Sequence, residues 1–214
     1  DMIVEAGGTS VISEVPEFIG AEHLFAARAM DKKIKEDVLN MVTSYEETLK
    51  RTGLDFRGAQ PTPGNQAGGL TTIEEKSLGA VLKAGKSRVS GVLNYAERAK
   101  SKGVYLMNTP GYDVESVTGK VAGGAQIVLF TTGRGTPLGN IVAPVIKITA
   151  NPKVNTTMNE HIDIDASGII TGSSSIDQVG RKIFDKILSV ASGKITKSED
   201  LGHNECSMSQ MTFS

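Results

Sequence analysis

The chain has 214 residues, 39% of them hydrophobic, with 23 lysines and arginines against 24 acidic residues and a net charge of −1. That balance excludes a general polyanion binder; the longest basic run, Lys32-Lys33-Ile34-Lys35, is followed at once by Glu36-Asp37 and reads as a solvated helix face. Cys206 is the one cysteine, which excludes an intrachain disulfide framework and a cysteine-built zinc or iron–sulfur centre, and no apolar run approaches the ~18 residues of a membrane span. A cytoplasmic protein with no nucleic-acid and no membrane partner is expected.

In chain order, "DMIVEAGG" reads as the last turn of a helix stopped by Gly7-Gly8. A helix entered halfway is expected to be cut from a longer polypeptide. Strands are expected at residues 9–13, 89–93, 104–107, 126–130 and 145–149, each short, β-branched or apolar, and bounded by Gly, Pro, Asn or Ser. Helices are expected over 22–52, 72–84, 114–122 and 176–192. The first carries Leu24, Ala27, Met30, Ile34, Val38, Met41 and Val42 at helical spacing, and the last carries Ile176, Val179, Ile183, Ile187 and Val190 on one face. Strands alternating with helices predict an α/β layered fold with a mostly parallel, Rossmann-like sheet. The core is expected to be 1–193 and a polar tail 194–214.

Four segments follow strands or open helices in a way that could carry chemistry. "SEVPEFIGAEH" places Glu14, Glu17, Glu22 and His23 in a strand-to-helix turn, where α/β folds bind ligands, although Glu17 or Glu22 could equally cap the helix. "PGNQAGGLTTIEEKSL" has glycines that permit close backbone approach and then a helix start. It is neither a P-loop nor a dinucleotide fingerprint, and Thr71 or Thr72 with Glu74 or Glu75 reads as a capping box that leaves Asn65 unexplained. "MNTPGYDVESVTGKVAGGA" puts Asn108, Thr109, Tyr112 and Asp113 at a strand end, the plainer reading being a helix capped by Asp113. "FTTGRGTPLGN" holds Arg134 between glycines, where a guanidinium suits a carboxylate.

Together these describe a pocket for a small, hydroxyl-rich, carboxylated molecule rather than a nucleotide. His161 with Asp163 and Asp165 could hold a metal, but the alternation of Ile162 and Ile164 suggests a strand with polar outward positions. His203, in "GHNE", reads as a surface group.

The motifs "GGTSVISEVPEFIGAEH", "PTPGNQAGGLTTIEEKSLGA", "MNTPGYDVESVTGKVAGGAQIVLFTTGRGTPLGN" and "APVIKITANP" closely resemble, in order, the C-terminal region of the altronate/galactarate dehydratase family. The similarity runs through "SGKITKSEDLGHNE", after which Cys206-Ser207-Met208 replaces the aromatic and apolar residues usual in the family. The resemblance implies a cytoplasmic, metal-dependent hydro-lyase that converts a sugar acid to a 2-keto-3-deoxy acid. It implies Fe(II) as the divalent ion, and a preceding region of the same polypeptide as partner. A homo-oligomer stays open. The same family includes a sulfolactate sulfo-lyase subunit, so sulfite elimination is the alternative, and a non-catalytic scaffold domain is a third reading.

Dehydration requires removal of the C2 proton, stabilisation of an enediolate and protonation of the leaving C3 hydroxyl. Glu22, His23 and Lys76 are the expected acid or base residues. Asn65, Thr109, Thr131 and Thr132 are expected to bind sugar hydroxyls, and Arg134 the carboxylate. Glu14, Glu17 and Asp113 are the expected oxygen ligands of the metal.

Overall fold

The computed structural model of the chain describes residues 1–53 and 60–209. They divide into two compact units: Asp1–Gly124 with Met208 and Ser209, and Ala125–Ser207. Each has its own three-stranded parallel sheet, so the α/β layering is as expected but the strands form two sheets rather than one.

The first unit opens with α1 (Met2–Glu5), which Gly7 ends at a φ of 79° before β1 (Thr9–Ile12). A 3-10 turn (Val15–Glu17), α2 (Glu22–Ala27), α3 (Lys32–Arg51), α4 (Pro63–Ala67) and α5 (Ile73–Lys83) lead to β2 (Val89–Leu93); β3 (Gly103–Met107) and α6 (Asp113–Ala122) follow. The sheet order is β1-β3-β2, with Thr9 opposite Gly103 and Ile12 opposite Leu106. All five residues of β3, "GVYLM", are buried, as a parallel central strand covered on both faces requires. Val15, Phe18, Phe25, Val38, Met41, Tyr45, Val89 and Leu106 share one core cluster.

The helix expected over 22–52 is broken. Between α2 and α3 the chain turns extended and pairs with β2: Val89 N–H donates to the Arg28 carbonyl (2.9 Å) and Met30 N–H to the Val89 carbonyl (3.0 Å). Asp31 then restarts the helix, its Oδ1 accepting from Ile34 N at 2.8 Å. An aspartate is a good N-cap and a mediocre interior residue, so the apolar spacing ran through a break that local hydrogen bonding favours.

The second unit holds β4 (Val128–Thr131), β5 (Val145–Thr149) and the two-residue β6 (Ile164–Asp165) in the order β4-β5-β6, with α7 (Pro152–Thr157), α8 (Ser167–Thr171), α9 (Ile176–Ala191) and α10 (Lys197–Asp200). A capping box of Ser175 and Gln178 opens α9, which packs Val179, Ile183, Ile187 and Val190 against Ile146, Ile148 and Ile164. Ile176, expected on that face, is instead 73% exposed.

Residues 194–207 of the expected polar tail belong to this unit. Thr196 and Glu199 make a second capping box, and Ser198 Oγ donates to the Val145 carbonyl at 3.0 Å. Asp163, its side chain fully buried, accepts Lys147 N–H on Oδ2 (3.0 Å) and Lys197 N–H on Oδ1 (3.2 Å), with Lys186 Nζ 3.1 Å from Oδ1.

Asp31→Ala is expected to lower stability by about 1 kcal/mol, since it removes a side-chain cap without touching the core; the midpoint of urea unfolding measures this.

Candidate active site

The carboxyl ends of β1 and β3 are adjacent in the sheet, where α/β folds place ligands. The chain leaving β1 makes an abrupt change at Glu14, whose φ and ψ of 72° and 76° are left-handed. For a residue with a Cβ that conformation costs about 1–3 kcal/mol and persists only when the surroundings enforce it.

Thr109, beyond the end of β3, enforces it. Glu14 N–H donates to Thr109 Oγ1 at 2.8 Å, and Val15 N–H donates to the Thr109 carbonyl at 3.1 Å. The Thr109 hydroxyl lies 3.2 Å from Ser116 Oγ, which is 2.9 Å from Ser13 Oγ. Thr109 and Ser116 have no exposed surface. Thr109, expected to bind a sugar hydroxyl, braces the turn that carries Glu14.

The Glu14 carboxyl is pushed up to about 7, first by desolvation, with the charges of Glu17 and Asp113 adding to it and those of Lys120 and Lys76 opposing it. Asp113, the first residue of α6 rather than its cap, is also raised, by desolvation and then by Glu17. Lys120, two turns further along α6, is held below the usual lysine range by burial, against the pull of Glu14 and Asp113. Glu17 is 2.7 Å from Lys76 Nζ, both side chains about a fifth exposed (23% and 20%). Five ionisable groups from three segments thus act on one another, and one of them titrates near neutrality.

Lys76 reaches this cluster from α5, which begins as expected with a threonine: Thr72 Oγ1 accepts from Glu75 N at 3.1 Å. The Glu75 carboxylate reaches back to Thr71, accepting from its N–H (2.8 Å) and hydroxyl (2.7 Å). The anion at this helix start is thus one of the protein's own. Asn65 lies within α4, a single helical turn in place of the expected glycine-rich loop, and its carbonyl accepts from Gly68 and Leu70.

Glu22 and His23 do not join the groups that act on Glu14. The Glu22 carboxylate accepts from Gly20 N at 2.7 Å at the start of α2, and His23 is exposed. Thr131, Thr132 and Arg134 lie in the second unit, after or at the end of β4. Thr132 Oγ1 accepts from Gly135 N (2.9 Å) and its carbonyl from Thr149 Oγ1 (2.7 Å), which shapes the loop on which Arg134 is exposed.

Lys120 was absent from the sequence expectation. Its signal was spacing: Asp113 and Lys120 stand seven residues apart on one helix, hence on one face.

The divalent ion that the resemblance implies fits this cluster poorly. Glu17 is neutralised by Lys76, Lys120 repels a cation from Glu14 and Asp113, and among the described residues no group of three His, Cys, Asp or Glu is placed to hold a metal.

Each unit carries its own parallel sheet, and the acid–base cluster lies at the strand ends of the first. The chain belongs to the family described as D-galactarate/Altronate dehydratase, C-terminal, which it matches over residues 1–214. It is 41% identical over 207 residues to the (2R)-sulfolactate sulfo-lyase subunit beta of Chromohalobacter salexigens, covering 96% of this chain and 53% of that protein. It is 39% identical to the galactarate dehydratase (L-threo-forming) of Escherichia coli over 96% of this chain and 39% of that protein, and 39% identical to the altronate dehydratase of the same organism over 93% and 40%. The chain therefore spans about half or less of the length of these relatives. No helix among the described residues is long and apolar enough to cross a membrane.

A carboxyl that is raised by folding binds a proton in the native state at pH values where the unfolded chain has lost it. Glu14 should therefore cost stability progressively as pH rises from its ordinary value of 4.5 to about 7, with the full cost present above that. Glu14→Gln is expected to melt at a higher temperature than the parent at pH 8 and at nearly the same temperature at pH 5, as followed by circular dichroism.

Proposed function

We propose that the chain is the part of a sugar-acid lyase that moves the proton next to the substrate carboxylate, with Glu14 as the base. The observation that carries this is Glu14 itself: a left-handed, braced residue at a strand end, whose carboxyl changes charge near neutral pH. The names of the relatives supply the substrate class, an altronate- or galactarate-type 2,3-dihydroxy acid.

Ionised Glu14 takes the C2 proton, the C2–C3 double bond forms, and the C3–O bond breaks. The departing hydroxyl takes a proton from the Lys120 ammonium and leaves as water. The resulting enol gains a proton at C3 and loses its own O–H proton, giving the 2-keto-3-deoxy acid. Lys120 suits the acid role because burial weakens its hold on the proton. Lys76 and Lys120 supply positive potential to the enediolate, and Glu17 fixes Lys76 in place. A divalent ion of the Fe(II) type would add Lewis acidity, with ligands drawn mainly from outside these carboxylates. Arg134, Thr131 and Thr132 take no part in this scheme.

The 41% identity to a sulfo-lyase subunit supports one second reading, in which the same base acts and sulfite leaves from C3 instead of hydroxide.

In the full-length protein, Glu14→Gln is expected to lower kcat/KM by about 10²–10⁴ with little change in KM, and parent activity should rise with pH through about 7 as Glu14 ionises. Steady-state assays on galactarate, altronate and sulfolactate check this. Parent-level turnover by Glu14→Gln removes Glu14 from the base role, whereas turnover of sulfolactate alone keeps the base and changes the leaving group.

A further inference from the structure

Helix α9 has more apolar surface than the second unit covers. Val179, Ile183, Ile187 and Val190 turn to the core of β5 and β6. Beside that stripe runs a second one, Ile176–Gly180–Phe184–Leu188, whose four-residue spacing makes a ridge along the helix. Ile176 is 73% exposed and Leu188 51%, while Phe184 is half-buried. Apolar residues exposed singly are ordinary, but a continuous apolar ridge marks a surface that another element covers.

Gly180 makes a notch in this ridge. A glycine inside a helix weakens it, because the chain gives up more freedom there than alanine does. On α6 a neighbour requires one: a Cβ at Gly119 would sit 2.6 Å from the Tyr95 ring. At Gly180 the backbone is not left-handed, and among the described residues a Cβ built there meets no atom within 4 Å. The notch therefore serves no packing inside the second unit, and it permits close approach from outside.

The ridge is flanked by charges of both signs. Asp177 and Arg181, both exposed, stand one turn apart on the side of the ridge away from the core stripe. A two-fold axis at Gly180 sets a second α9 antiparallel to the first. Four places before Gly180 then faces four places after it, so Ile176 of each copy meets Phe184 of the other, with the two glycines at the crossing. The axis keeps each flank on its own side, which brings Asp177 of each copy beside Arg181 of the other. An unrelated apolar segment could fill the notch, but it has no reason to offer Asp177 a base and Arg181 an acid. A second copy does both at once. We propose that α9 is a self-association surface, on which two copies of the chain pair antiparallel across Gly180. Nothing in this pairing depends on the role of Glu14.

Sedimentation equilibrium of the full-length protein and mild-oxidant cross-linking of cysteine variants test it. The parent is expected at twice its chain mass, with the dimer dissociation constant raised tenfold or more by Ile176→Glu and by Gly180→Leu. Asp177→Arg and Arg181→Asp should each weaken the dimer and the two together restore it, a rescue that a merely destabilised helix would not show. Gly180→Cys is expected to form a disulfide between copies that is absent from the parent and from Asp185→Cys, exposed on α9 away from the ridge. The charge exchange and the cysteine variant keep the test open if Ile176→Glu does not fold. A monomeric parent overturns the proposal; if Ile176→Cys in that monomer is shielded from a maleimide, the ridge belongs to another region of the same polypeptide. A dimer that none of these substitutions weakens, and that Gly180→Cys does not cross-link, overturns it as well.

Discussion

The first unit turns on a hydrogen bond between a buried threonine and a backbone amide. Thr109 Oγ1 accepts Glu14 N–H at 2.8 Å, and Ser116 and Ser13 continue the contact as a chain of hydroxyls. Without it, the left-handed Glu14 would relax toward an ordinary β or α conformation, since nothing in the glutamate itself favours φ of 72°. The same contact joins the chain after β1 to the chain after β3, the two adjacent strands of the sheet. Strain at one residue and register between two loops are thus settled by one side chain with no exposed surface.

What that brace presents is a carboxyl whose charge is contested. Two lysines favour the ionised form of Glu14, and desolvation with two neighbouring acids disfavours it; the outcome, about 7 against an ordinary 4.5, shows that desolvation prevails. The Lys76–Glu17 pair matters because it ties down one carboxylate that would otherwise raise Glu14 further. The three acids are interleaved with two lysines, and each acid lies in the field of at least one of them.

Much of the fold was legible because the strands are short apolar runs between Gly, Pro, Asn and Ser, and periodicity reads those well. The break at 28–31 was not, because helical spacing continued across it while Asp31 and the pairing with Val89 decided otherwise. The division into two sheets was equally hidden, since strand order depends on contacts distant in sequence. At the site, Glu14, Glu17, Asp113 and Lys76 were named from their places at strand and helix ends, and they do act on one another. Roles were harder to read. The burial of Thr109 is invisible in sequence, and Glu22 and His23, expected as acid or base residues, share a segment with Glu14 without being among the charges that act on it. His161 and His203 lie 42 residues apart and meet only through the 3-10 turn Asn159–His161 and the segment after α10.

Asp163 bears on how the second unit comes apart. One buried carboxylate holds the β5 backbone, the first amide of α10 and a lysine of α9, so detachment of any one of them takes a partner from a buried charge. Residues 194–207, which composition presents as a trailing end, are thereby fastened to the strands beneath them: α10 reaches β5 through the Ser198 hydroxyl as well as through Asp163.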